Sequence, residues 1–198
     1  MIACGLPEPN EAIGARCLKT VKLNFSGTGC RLIKEYWLAE WLAVKIAFMK
    51  VALGADHAGF ELKEKVTGWL RDANCEVLDC GTHDCNAVDY PDCAAAVAQR
   101  VVNGEAQKGI VVCGSGAGAA IAANKVRGCR AALAHDTYTA HQCVEHDDAN
   151  VITFGSRIIG EEIAKAVVCA FIAARFTGEA RHQRRVGKIN RLEEEFCE

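Results

Sequence analysis

From Met49 onward, short apolar runs alternate with stretches whose apolar positions recur every three or four residues. The run "KVALG" reads as a strand, and "FELKEKVTGWLRDA" after it places Leu62, Val66, Trp69 and Ala73 on one stripe of a helix. The same alternation repeats. "EVLD" is followed by the loop "CGTHDCNAVDY" and a helix with Pro91 as its first residue and Asn103-Gly104 at its end. "GIVVC" then "AAIAANK", "RAALA" then "TYTAHQCVEH", and "NVITFG" then "EEIAKAVVCAFIAARF" supply three further units. A last helix, about Arg181 to Phe196, carries Val186, Ile189, Leu192 and Phe196 at helical spacing, a stripe suited to packing on a neighbour.

Near-continuous apolar strands separated by helices are buried on both faces. The pattern therefore predicts an α/β fold: a single doubly wound, Rossmann-like domain with a five-stranded parallel sheet, helices on both faces and a C-terminal helix. Residues 1 to 48 lack the alternation and read as an N-terminal extension, non-native or removed in the mature protein. The domain proper then spans 49 to 198. That extension holds six Lys/Arg but also four Glu, unlike an organelle transit peptide. Its apolar run from Tyr36 to Met49 is too short to span a bilayer and carries Glu40 and Lys45.

Composition narrows the function classes. With 198 residues, 51% apolar content and a formal net charge of −2, the chain can bury a full core and has no broad basic surface for nucleic acid. The expected basic site is a pocket. Twelve cysteines include no C-x-x-C pair, which argues against structural zinc, and the absence of a secretory leader points to a reduced, cytoplasmic protein. Most of those cysteines read as small buried apolar residues.

In open α/β sheets, ligands bind beyond the carboxyl ends of the strands where the winding reverses, between the first and third strands for the order 2-1-3-4-5. Polar residues gather at both places. The first strand ends in "GADHAG", with Asp56 and His57, and the third in "CGSGAG", with Cys113 and Ser115. Asp56 and His57 can also simply cap and turn into the helix.

The glycine-rich loop admits two readings. Gly114, Gly116 and Ala119 fit the G-x-G-x-x-A form of the dinucleotide fingerprint, with Asp136 about twenty residues on as the ribose contact. That fingerprint usually occupies a first βα turn, however, and here two units precede it. It also leaves Cys113 and Ser115 unexplained. Alternatively, loop N–H groups and the positive end of a helix stabilise a thiolate at Cys113, making it a base or a nucleophile.

Taken in order, "ALGADHAGFELK", "DYPD", "CGSGAGAAIAANKVRGCRAAL", "HDTYTA", "EHDDANVITFGSRIIG" and "TGEARHQRRVGKI" resemble the ribose-5-phosphate isomerase B family, which includes allose-6-phosphate and galactose-6-phosphate isomerases. The resemblance spans essentially all of Met49 to Phe196. It implies a metal-free, cofactor-free aldose-ketose isomerase working through a cis-enediolate. By motif, Cys113 is the base, Ser115 the hydroxyl serving the sugar oxygens, and His146 the histidine that helps open the furanose ring. The N–H groups of Gly114 to Ala119, including Gly116, Ala117 and Gly118, are suited to a developing oxyanion. Arg157, Arg181 and Arg185 match phosphate-binding arginines, and His57 joins Asp56 in holding the substrate.

The resemblance further implies a homodimer or tetramer whose sites draw on two subunits, a sugar-phosphate substrate, and no nucleic-acid or membrane partner. His135, His141 and Asp136 gain no chemistry from it; Asp136 reads as an N-cap. One position departs from the pattern. Many ribose-5-phosphate isomerases of the family have His-Asn where this chain has His146-Asp147, so an acceptor-only carboxylate replaces an amide that can donate. The substrate preference is expected to respond to that change, with tetrose 4-phosphates, allose 6-phosphate and galactose 6-phosphate as the other candidates. A non-catalytic nucleotide-binding module is the remaining reading.

Overall fold

A computed structural model describes residues 49 to 196. The reading of residues 1 to 48 as an extension lies outside those residues. The described chain contains β1 (Lys50–Ala55), α1 (Phe60–Asp72), β2 (Glu76–Asp79), α2 (Tyr90–Val102), β3 (Lys108–Cys113), α3 (Ala117–Ala123), β4 (Ala131–Leu133), α4 (Thr137–Asp147), β5 (Val151–Gly155), α5 (Glu161–Ala173) and α6 (Ala180–Phe196). All the strand pairings are parallel. The fold is the doubly wound α/β domain expected, and no helix among the described residues is long and apolar enough to cross a membrane.

The strand order differs from expectation. It is β2-β1-β3-β5-β4, with β5 between β3 and β4. Burial explains the exchange: every residue of β5 is buried, whereas the three residues of β4 are half-buried or exposed, so the apolar strand takes two neighbours and the short one takes the edge. The winding still reverses between β1 and β3. The exchange also brings the end of β5 beside the end of β3, where Cys113 pairs with Gly155.

Two apolar layers flank the sheet. One joins Leu53, Ile110, Ile152 and Phe154 to residues of α1, α4 and α5, including Val66, Val144 and Phe171. The other joins Ala52, Val111 and Val151 to Val97 of α2 and Ala119 of α3. Complete burial of a side chain such as Phe154 or Ile152 contributes roughly 1.5–3 kcal/mol, which makes the sheet the rigid platform for its loops.

Two helix faces depart from the sequence reading. Along α1 the buried residues are Lys63, Val66, Thr67 and Leu70, while Leu62, Trp69 and Ala73 are only partly covered. Lys63 is drawn inward because its Nζ donates to both carboxylate oxygens of Asp79, at 2.9 and 2.8 Å, and to the carbonyl of Thr82 at 2.8 Å. Along α6 only Val186 of the apolar stripe is buried, and Ile189, Leu192 and Phe196 are exposed. The cysteines also divide: Cys75, Cys113, Cys129 and Cys143 are buried, Cys80, Cys93 and Cys169 half-buried, and Cys85 exposed.

Lys108 gives a pH-dependent signature. Its Nζ donates to the carbonyls of Phe171 and Ala174 at the end of α5, and burial, reinforced by the nearby Arg175, pushes its pKa down to about 7. Below pH 7 the folded and unfolded chains both hold this proton, so the cost of burying the cation is fully present. Above pH 7 the unfolded chain holds a proton that the folded chain has released, and stability from this group rises with pH until the unfolded lysine titrates. Urea denaturation at pH 7 and pH 9 is expected to show Lys108→Met losing its advantage, or deepening its deficit, by up to about 2 kcal/mol relative to the parent over that interval. A constant difference between the two proteins would disprove the linkage.

Candidate active site

The carboxyl ends of β1, β3 and β5 converge on one cavity of about 520 Å³, lined by Asp56, His57, Ala58, Tyr90, Cys113, Gly114, Ser115, Gly118, Arg157 and Ile158. Seven sequence-selected residues thus lie together: Asp56, His57, Cys113, Gly114, Ser115, Gly118 and Arg157. Gly116 and Ala117 complete the same turn into α3.

Backbone geometry dictates the turn. Gly116 has φ +82°, a left-handed conformation that disfavours other residues, and a β-carbon there would come within 2.9 Å of the Phe154 backbone. Gly155 is equally constrained, since its β-carbon would stand 2.7 Å from Cα of Ser115. The loop therefore lies directly on the end of β5. Cys113 is 4% exposed, and the N–H of Gly116 donates to its Sγ at 3.1 Å. The first N–H groups of α3 have no partner within their own helix and remain available to an oxyanion at this turn.

The facing wall is built from β1. Asp56 is buried and accepts the N–H of Gly59 at 2.9 Å through Oδ1, so it tightens the turn before α1 while Gly59, not Asp56, is the N-cap of that helix. Nδ1 of His57 lies 3.2 Å from the Val88 carbonyl and 3.3 Å from the Val88 nitrogen, so either tautomer finds a backbone partner. The guanidinium of Arg157 leans over Gly114, with Cζ 3.7 Å from where a β-carbon would stand.

Sequence reading missed two residues of this region. Ser156 stitches its loops together: its N–H donates to the Cys113 carbonyl at 2.8 Å, and its Oγ donates to the carbonyls of Ala58 at 2.7 Å and Cys113 at 3.2 Å. Tyr90 forms a side wall, so close to α3 that a β-carbon on Gly118 would meet its ring at 2.7 Å. The "DYPD" motif and the serine before Arg157 were the available signals, yet neither residue has unusual chemistry until its contacts are known.

The remaining selected residues lie elsewhere. Asp147 lines a separate groove beside β4 and α6, of about 590 Å³. His146 is in the last turn of α4, Arg181 pairs with Glu179 at 2.8 Å, and Arg185 is exposed. Helix α4 starts beyond the carboxyl end of β4 and returns antiparallel to it, so His146 lies about 14 Å along the helix from its start at Thr137, toward the opposite end of the sheet. His146 therefore does not join Cys113 within one chain.

Asp136 is the N-cap of α4. Its Oδ1 accepts the Thr139 N–H and its Oδ2 the Thr139 hydroxyl, both at 2.7 Å, and these bonds hold its pKa below the usual carboxylate value. Both oxygens are thus committed, against the ribose contact of the dinucleotide reading. His135 accepts the N–H of Gly155 at 3.0 Å and acts in the fold.

Residues 51–189 match the family model described as Ribose/Galactose Isomerase. The chain is 43% identical to ribose-5-phosphate isomerase B of Escherichia coli (strain K12), over 73% of this chain and 97% of the relative. It is 40% identical to D-erythrulose-4-phosphate isomerase of Pectobacterium atrosepticum, over 66% of this chain and 86% of that protein. The structure of ribose-5-phosphate isomerase B from Clostridium thermocellum superposes with a TM-score of 0.73 at 44% identity, covering 75% of this chain and 99% of that one.

Proposed function

Because the chain belongs to the ribose/galactose isomerase family, we propose that it interconverts ribose 5-phosphate and ribulose 5-phosphate through a cis-enediolate, with Cys113 as the base. The observation that carries this reading is the buried Cys113 thiol at the cavity floor, accepting the Gly116 N–H among Asp56, His57, Ser115 and Arg157.

The cyclic sugar has no carbonyl to enolise, so His146 first gives a proton to the ring oxygen as the C1 hydroxyl loses one. Cys113 then takes the proton from C2 and returns it to C1. Ser115 exchanges the proton shared by O1 and O2, and the N–H groups of Gly114, Ala117 and Gly118 hold the developing oxyanion, while that of Gly116 serves the Cys113 sulfur. Asp56 and His57 bind the sugar hydroxyls. Arg157, with Arg181 and Arg185, takes the phosphate, a dianion that suits guanidinium forks.

The displacement of His146 from Cys113 supports a site shared between two copies. In this proposal His146, Asp147, Arg181 and Arg185 of one chain complete the cavity of another, and the active unit is a cytoplasmic homodimer or a pair of dimers. Interconversion of ribose 5-phosphate and ribulose 5-phosphate by the purified chain, without added metal or cofactor, tests the reaction. Turnover confined to another sugar phosphate would keep the chemistry and replace the substrate.

A specific runner-up exists because a relative 40% identical to this chain is named for a tetrose phosphate. Asp147 discriminates between the substrates. As an ionised carboxylate it only accepts hydrogen bonds, whereas asparagine also donates. Asp147→Asn is expected to move the ratio of ribose 5-phosphate to erythrose 4-phosphate turnover by about tenfold toward the pentose, equivalent to one hydrogen bond of about 1.4 kcal/mol. Parallel kcat/KM measurements read that ratio, and an unchanged value rules Asp147 out as the determinant.

A further inference from the structure

Outside the cavity of Cys113, two imidazoles lie face to face. His146 of α4 and His182 of α6 have ring centroids 4.2 Å apart and planes inclined by 21°. His182 is 1% exposed, and neither of its ring nitrogens has a hydrogen-bond partner among the described residues. The Glu179 carboxylate lies 3.9 Å from its Nε2, beyond hydrogen-bond reach. Burying an imidazole with both nitrogens unpaired is unfavourable. What the ring does supply is a flat surface against His146.

The chain anchors this contact on both sides. The N–H and the hydroxyl of Thr177 both donate to the Glu145 carbonyl, each at 3.1 Å, fastening the segment that leads into α6 to the last turn of α4. Gln142, one turn before His146, donates through Nε2 to Nδ1 of His146 at 3.0 Å. Nδ1 is then the acceptor, and the neutral ring carries its proton on Nε2. That atom has the Glu145 carboxylate 3.8 Å away, and the side chain is 32% exposed.

The stack fixes the tilt of the His146 ring, and the amide fixes its rotation about Cβ–Cγ. The geometry points to His182 as a positioning residue: a buried aromatic wall that holds His146 with Nε2 aimed for proton exchange with the sugar ring oxygen. This rests on the ring-opening role proposed for His146. His182 acts here through its shape, so an aromatic ring without nitrogens replaces it and an aliphatic side chain does not.

The test compares His182→Leu, His182→Phe, His146→Ala and the double variant His146→Ala/His182→Leu in ribose 5-phosphate isomerisation. His182→Leu is expected to lower kcat/KM by on the order of tenfold to a hundredfold, as for a reacting group displaced by about an ångström. His182→Phe is expected to stay within about threefold of the parent. Because His182 acts through His146, the leucine substitution adds no loss once His146 is alanine. Independent losses that multiply, a phenylalanine variant as impaired as the leucine one, or no loss in His182→Leu would each overturn the inference. If His146→Ala itself retains full turnover, the ring-opening reading fails and takes the inference with it. If His146→Ala is impaired and His182→Leu is not, only the inference fails.

Discussion

Cys113→Ala is expected to remove most isomerase activity, by roughly two to four orders of magnitude in kcat, while the protein stays folded. A positioned base contributes typically 10²–10⁴-fold, and this thiol is the buried base candidate on the glycine-rich loop that lines the cavity. The structural cost is small. Alanine removes one sulfur atom and leaves the Gly116 N–H without its acceptor, which costs about 1–3 kcal/mol. Thermal unfolding should therefore report a modestly destabilised but cooperative protein, and the coupled assay a nearly inactive one. A folded Cys113→Ala variant keeping a tenth of the parent rate would remove the thiol from the role of base. Ser115→Ala, which spares the base and removes only the hydroxyl, serves as the milder comparison.

What could be read from the sequence divides along physical lines. The central strands β1, β3 and β5 were legible because their apolar runs are buried whatever the neighbouring helices do, and the meeting of Asp56, His57, Cys113 and Ser115 followed from where a doubly wound sheet reverses. The edge position was not legible. Whether β4 or β5 lies outermost depends on comparing two apolar strands, one of three residues and one of five, and only packing decides it. Lys63 illustrates a second limit: a lysine on a helix reads as surface, and its complete burial depends on Asp79 and the Thr82 carbonyl, both distant in sequence. Ser156 and His182 were hidden similarly. One is a serine whose importance lies in two carbonyls from other loops; the other is a histidine within an arginine-rich stretch that suggests solvent, yet it is buried against His146.

Mixing two inactive variants is expected to restore activity. Cys113→Ala lacks the base, and Arg181→Ala/Arg185→Ala lacks two of the proposed phosphate contacts. In a dimer with one chain of each kind, the two sites are not equivalent when each takes Cys113 from one chain and the arginines from the other. One site receives both defects; the other receives an intact Cys113 from the arginine variant and intact arginines from the cysteine variant. With equal amounts and random reassociation, half the dimers are mixed and each has one intact site of two, so about a quarter of parental activity returns. The expectation has a basis in the course of α4, which carries His146 and the adjoining start of α6 away from the carboxyl ends of the strands while Cys113 stays at the end of β3. Sites completed within a single chain would instead leave the mixture as inactive as its components. Activity measured after dissociation and reassociation of the mixed variants, with each variant treated alone as control, separates the two arrangements without reference to the substrate's identity.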